Sequence, residues 1–237
     1  MKKVVFQLII SSILLVACAD NKIVIKGTLA EIENSKLYLY EITPGGAVRI
    51  DSADIDGKNF KFVISTKNKK DPAYPYYYRL SQNPFNEITT MARHGENLDF
   101  QINQKMMVKN YRVSGGDDAL LMWQLDRKLK LFIDTVDELY KTYEMNLYDD
   151  SCKQKIEEDY VVLVDHHTQE LIDFIEKNNH SFAALTAFYQ SYNRRIFIRE
   201  EEHLDLLEKI YFSLKEQYPN HEYVLYLANR LNQKYEH

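Results

Sequence analysis

From residue 21 to residue 113, apolar and polar positions alternate in short runs. "KIVIKGTLA" (22–30) sets Ile23, Ile25 and Gly27 against Val24 and Lys26, and "SKLYLYEI" (35–42) resumes the alternation after a polar gap. A period of two marks strands buried on one face. "TPGGAV" (43–48) predicts a turn, since Gly45 and Gly46 reach positive φ without a Cβ clash. "VRIDSADID" leads into "DGKNFKFVIS", and Asp56-Gly57 between two alternating runs predicts a hairpin. "YPYYYRLS" (74–81), "EITTMA" (87–92), "ENLDFQI" (96–102) and "NYRVSG" (110–115) follow. Roughly eight short strands with frequent turns predict an antiparallel sandwich or barrel-like sheet.

The period changes at "SGGDDALLMWQLDRKLKLFIDTVDELYKTYEMNLYDD" (114–150). Asp117 and Asp118 suit a helix N-terminus, where carboxylates meet free amides and the positive end of the dipole. Leu121, Leu125, Leu129, Phe132, Val136, Leu139 and Tyr143 then recur at three- and four-residue steps, an amphipathic stripe. A second long helix is predicted over 152–179, with Tyr160, Leu163, Val164, Leu171, Ile172 and Ile175 toward the core. Shorter helices are predicted at "SFAALTAFYQSY" (181–192), at "EEEHLDLLEKIYFSLKEQY" (200–218, broken by Pro219) and at "HEYVLYLANRLNQKYE" (221–236). No strand is predicted after Asp117, and no repeat or low-complexity linker separates the halves, so they are expected to pack together. The expected fold class is α+β: an N-terminal antiparallel β-sandwich or barrel-like domain, then a C-terminal all-helical domain.

The N-terminus reads as a targeting segment. Lys2 and Lys3 precede thirteen residues, "VVFQLIISSILLV" (4–16), interrupted only by Gln7, Ser11 and Ser12. A spanning helix needs about 20 apolar residues, so the run is too short to span but suits a signal peptide. "LVAC" (15–18) resembles the lipobox of bacterial lipoproteins, in which the signal is cut before the cysteine and that cysteine is acylated. Cys18 is thus the expected lipid attachment point, and multiple acyl chains there would anchor the protein without a transmembrane helix. The expected domains are 1–17 as signal peptide, 18–115 as lipidated N-terminus and β domain, and 116–237 as helical domain.

Formal net charge is −5 over 237 residues, and removing Lys2 and Lys3 with the leader makes it −7. An acidic exported chain does not suit nucleic acid, whose binding depends on neutralising phosphates. The Arg194-Arg195 pair reads as a solvated helix face. With Cys18 lipidated, Cys152 is alone: no internal disulfide is possible, there is no C-x-x-C, and its acidic neighbours do not favour a thiolate.

"IVIKGTL", "KLYLYEI", "RIDSADIDGKNFKF" and "YYYRL" together resemble the N-terminal domain of unknown function of Bacteroidetes lipoproteins. "HGENLDFQI" and "YRVSGG" resemble its closing strands; "NNHSFAAL" and "YPNHEYVLYLANRLNQ" resemble the helical text that follows. In many relatives a thioredoxin-like domain with a W-C-x-x-C site comes next, and this sequence ends at His237, where that domain would begin. The resemblance therefore implies fold, lipid attachment and a cell-envelope location, without the redox chemistry.

Candidate chemistry adds little. "DSADIDGKNF" offers a calcium-loop glycine at Gly57, but the twelfth position is Val63, so a hairpin is the better reading. His166 and Glu170 share a helical face and Glu200 and His203 form one E-x-x-H; neither has the further ligands a metal requires. No metal or cofactor is expected. "YPYYYRL" stands out: Tyr76 and Tyr78 share one strand face, opposite Tyr77 and Arg79, and Tyr76, Tyr78 and Arg79 are the candidate ligand contacts. No nucleophile elbow, P-loop or dinucleotide motif is present, so no enzyme activity is expected. The expected function is a non-catalytic binding or scaffold module, lipid-anchored on the periplasmic face of the outer membrane and working with an envelope protein partner. Two alternatives stay open: an accessory to thiol-disulfide exchange beside a separate thioredoxin-like partner, and carbohydrate or peptide capture through the tyrosine strand.

Overall fold

Most of the predicted strands carry an apolar row, and the chain buries those rows by facing two four-stranded sheets around one core. A computed structural model describes residues 22–30, 36–55, 58–67, 69, 71, 73–103 and 105–235. The leader, Cys18, Asp56 and Gly57 lie outside the described residues. The strands are β1 (Lys22–Leu29), β2 (Lys36–Thr43), β3 (Gly46–Asp54), β4 (Asn59–Ser65), β5 (Tyr76–Asn83), β6 (Asn86–Ala92), β7 (Asn97–Ile102) and β8 (Tyr111–Ser114). One sheet has the order β4-β1-β7-β8 and the other β3-β2-β5-β6. Ile25, Phe62 and Phe100 of the first and Leu39, Tyr78 and Leu80 of the second belong to the same buried cluster.

Two features depart from a simple antiparallel meander. The run through Asp56-Gly57 is not a hairpin: β3 pairs with β2, whereas β4 crosses to the other sheet and pairs with β1, Phe62 opposite Ile25. The burial of the two strands gives the reason. Phe60, Phe62 and Ile64 alternate into the core, while β3 is exposed along nearly its whole length. Carrying β4 away from β3 buries an apolar row that a surface hairpin would leave in water. The second departure is that β1 and β7 are parallel, with Ile25 beside Leu98 and Gly27 beside Phe100. A Cβ on Gly27 would collide with the Phe100 backbone, which accounts for glycine within this central strand.

The helices are α1 (Asp117–Met145), α2 (Asp150–Asn178), α3 (Phe182–Phe188), α4 (Leu204–Gln217) and α5 (Glu222–Tyr235). Leu125 and Phe132 of the predicted α1 stripe are buried, and Leu121, Leu129 and Val136 pack partly against the core. Val164, Leu171 and Ile175 are buried on α2. The helical half is not wholly helical. Residues beyond Phe188 form a small ribbon, β9 (Ser191–Tyr192) against β10 (Arg195–Ile196), and α4 begins at Leu204 after a turn at Arg199–His203. Arg194-Arg195 therefore sits on this ribbon rather than on a helix. Asn193 and Arg194 both take positive φ, 47° and 66°, forming the two-residue left-handed turn that a tight ribbon requires.

Helices cover the outer face of the β3-β2-β5-β6 sheet. The Tyr77 hydroxyl donates to the Phe182 carbonyl at 2.7 Å, and buried His221 donates from Nε2 to the Pro75 carbonyl at 2.8 Å. The Trp123 indole N–H on α1 donates to the Tyr111 carbonyl on edge strand β8 at 2.7 Å. Among the described residues no helix is long and apolar enough to cross a membrane.

Candidate ligand-binding groove

The tyrosine strand β5 lies between β2 and β6, so both of its edges are paired, and its faces turn one to the sandwich core and one to the helices. This divides the candidate residues. Tyr78 points into the core with no exposed surface, and burial raises its pKa and leaves its hydroxyl without a partner. It is structural and unable to touch a ligand, a correction to the sequence expectation. Tyr76 is nearly as buried; its hydroxyl donates to the Asp71 carbonyl at 2.9 Å, and the Lys69 ammonium lies 4.4 Å from its ring centroid. Lys69 is in turn paired with Glu41. Tyr76 borders only a small hollow of about 200 Å³, shared with His221.

The opposite face of β5 is the one that opens. Tyr77 and Arg79, with Ile42 of β2 and Thr89 of β6, floor a groove of about 510 Å³. Its far wall comes from Leu185 and Thr186 of α3, from Tyr189, and from one face of α5: Tyr223, Tyr226, Leu227 and Arg230. The steps of three and four between those α5 residues put them on one side of the helix. Tyr77 is anchored by Phe182 and by Thr186 Oγ1 at 2.9 Å, and its ring meets Tyr223 edge-on at 5.2 Å. Arg79 reaches Glu87 at 3.2 Å through Nη1 and is one-third exposed, while its Nε is buried without a partner. Burial pushes the Tyr223 and Tyr189 phenols up to about 12, so both remain neutral donors at physiological pH.

A second cavity of about 710 Å³ lies beside the groove and shares Tyr189 and Arg230 with it. Here the walls are Tyr160 of α2, the β9–β10 ribbon and the turn before α4. Arg195 stacks over Tyr160, 5.3 Å from the ring centroid. Between the two cavities Arg230 donates from Nε and Nη2 to one oxygen of Glu200, at 2.8 and 2.6 Å, and the Tyr189 hydroxyl donates to the same atom at 3.3 Å. Burial alone would push the Glu200 carboxyl up; Arg230 and Lys234 outweigh it and hold the carboxyl below its ordinary range.

Residues 23–121 match the family model of a domain of unknown function, DUF4369. No curated protein matches the chain. The DUF4369 match spans β1 to β8 and the first turn of α1, so Tyr77 and Arg79 fall inside it. Tyr189, Tyr223, Tyr226 and Arg230 fall outside it. The groove thus forms where the DUF4369 segment meets the helices that follow.

The remaining candidates have structural environments. His166 is exposed and 3.7 Å from Glu170, which is bound by Lys128 at 2.8 Å. His167 is buried among Phe132, Phe197 and Gln190; burial lowers its pKa. Glu200 is committed to Arg230, and His203 begins α4. Among the described residues no group of three or more His, Cys, Asp or Glu side chains is placed to hold a metal ion. Cys152 is a free, partly buried thiol near the start of α2. Sequence reasoning singled out β5, which floors this groove, and missed the helical wall. The signal was present in "YVLYLANR", whose tyrosines, leucine and arginine fall on one helical face.

Proposed function

We propose that this chain is a non-catalytic binding module of the bacterial cell envelope, anchored through lipid on Cys18 to the periplasmic face of the outer membrane, and that the Tyr77–Tyr223–Arg79 groove holds its ligand. The observation that carries the binding reading is the groove's construction: a cavity of about 510 Å³ walled by tyrosine rings and leucines, with a few polar groups, Arg79, Arg230, Thr89 and Thr186, converging on it. That combination of apolar wall and sparse oriented polar groups is what small-ligand sites use. Rings and guanidiniums bind and orient; they supply no nucleophile or general base near neutral pH. The anchor rests on the lipobox-like "LVAC" behind its apolar run.

Each half of the proposal has its own test. In cells that process lipoproteins, the wild-type protein is expected to take up labelled palmitate and sediment with membranes, and Cys18→Ser to lose both. Membrane retention by Cys18→Ser would refute the anchor. For the groove, thermal-shift screening against oligosaccharides and short peptides is expected to find compounds that stabilise the wild type but not Tyr226→Ala. Tyr226 is half exposed, so its truncation leaves the core intact. Compounds that shift both proteins equally would place binding elsewhere.

A further inference from the structure

Five of the nine arginines in the sequence line the two adjoining cavities: Arg79 and Arg230 in the groove, and Arg194, Arg195 and Arg199 joining Arg230 around the larger one. Among the described residues no lysine lines either cavity. Three of the five arginines are ion-paired, Arg79 with Glu87, Arg199 with Glu202 and Arg230 with Glu200, and Arg194 and Arg195 are left as the cations facing the larger cavity, in a chain whose formal net charge is −5. Glu200 is already engaged by Arg230 and Tyr189, which leaves it little repulsive reach. Arginine in place of lysine is chemically informative: a planar guanidinium meets an oxyanion through two parallel N–H bonds, which an ammonium does not. Arg194 and Arg195 stand exposed on the tight β9–β10 turn, at the rim rather than in a packed helix face.

Resting on the binding-module reading above, we infer that the two adjoining cavities take an acidic oligosaccharide, with sugar rings lying along Tyr189, Tyr223 and Tyr226 and with carboxylate or sulfate groups meeting Arg194 and Arg195. The walls favour a sugar over an extended peptide. β5 is an interior strand whose backbone groups are paired on both sides, and α5 satisfies its own backbone, so the cavities offer side chains and no free strand edge for peptide main chain. Tyrosine faces suit the C–H faces of sugar rings while their hydroxyls stay wet. The two cavities, about 510 and 710 Å³, lie on either side of Tyr189 and Arg230, and each is larger than one monosaccharide.

The test is calorimetric titration of the full chain with hexamers of a uronic acid, a sulfated hexasaccharide and a neutral glucan hexamer, at low and at physiological salt. The expected result is binding of one or both acidic hexamers, at least tenfold tighter than the neutral one and weakened by salt. The double variant Arg194→Ala/Arg195→Ala should lose at least tenfold in affinity and show a shallower salt dependence; Tyr226→Ala should weaken binding at every salt concentration. A uronate preference over sulfate, or the reverse, identifies the oxyanion. Equal affinity for the neutral hexamer, with the tyrosine variant defective, would overturn the inference while leaving the groove as a binding site. Absence of binding by every acidic hexamer, or an arginine double variant that binds like the wild type while retaining the native circular dichroism spectrum, would also overturn it.

Discussion

Asp118 has both carboxylate oxygens occupied: Arg93 donates to Oδ2 from Nε and Nη2 at 2.8 and 2.6 Å, and the Ser181 hydroxyl donates to Oδ1 at 2.7 Å. The residue is 3% exposed, and Ser181 also caps α3. One side chain therefore ties the segment after β6, the start of α1 and the start of α3. Removing it would leave the Arg93 guanidinium, about one-third exposed, without its charge partner and the Ser181 hydroxyl without its acceptor, a loss of about 1–3 kcal/mol. Asp118→Ala is expected to lower unfolding stability by that amount, measured by urea denaturation. Asp126 poses the opposite case. Burial pushes its carboxyl up to about 6, against a hydrogen bond from the Tyr111 hydroxyl at 2.6 Å that holds it down. The folded state thus holds this proton more tightly than the unfolded chain. Its stabilising contribution is complete below about pH 4, the unfolded value, and is lost as pH rises through 6. Between pH 5 and 7.5 the wild type is expected to lose about 1.4 kcal/mol more than Asp126→Asn, read from urea midpoints at each pH. The sequence placed Asp118 at a helix start but gave no sign of its partners, which come from residues 25 and 63 positions away.

At the scale of elements, α1 and α2 make a long antiparallel pair whose two ends differ. Near the sheets, Leu125, Phe132, Val164 and Leu171 are buried, and Phe132 stacks with His167 and Phe197. Toward the connecting turn, Leu139 and Tyr143 are only partly covered, while Tyr140, Met145, Leu147 and Tyr148 are exposed. Helices of this length hold together chiefly by tertiary packing. Amides of 136–160 are therefore expected to exchange with deuterium well before those of 117–132 and 164–178, measured by hydrogen-exchange mass spectrometry. The heptad-like stripe made both helices legible, since a period of 3.6 needs only neighbouring residues. The β9–β10 ribbon was not legible, because two-residue strands have no period to detect and Asn193-Arg194 lacks the glycine that usually marks such a turn.

Across the whole molecule, buried residues of both sheets and all five helices join a single cluster. Tyr77, His221 and Trp123 each carry a hydrogen bond between strand and helix segments. Such a shared core predicts one cooperative transition. Far-ultraviolet circular dichroism and Trp123 fluorescence are expected to give coincident thermal unfolding curves, since the single tryptophan sits at the α1–β8 junction. Two separated transitions would show that the halves unfold independently.

Local alternation and helical spacing were enough to order eight strands before a set of helices, to place the long α1 and α2, and to single out β5 as unusual. Those properties depend on residues a few positions apart. Strand partners and cavities depend on which apolar faces meet across long stretches of chain. The parallel β1–β7 pair, the crossing of β4 to the far sheet and the groove between β5 and α5 each join residues from distant parts of the sequence. Strand β5 states the difference most plainly: Tyr76, Tyr77 and Tyr78 are apolar enough to serve on either face. Only the docking of α3 and α5 on the outer sheet leaves Tyr78 as core and makes Tyr77 and Arg79 the floor of a groove.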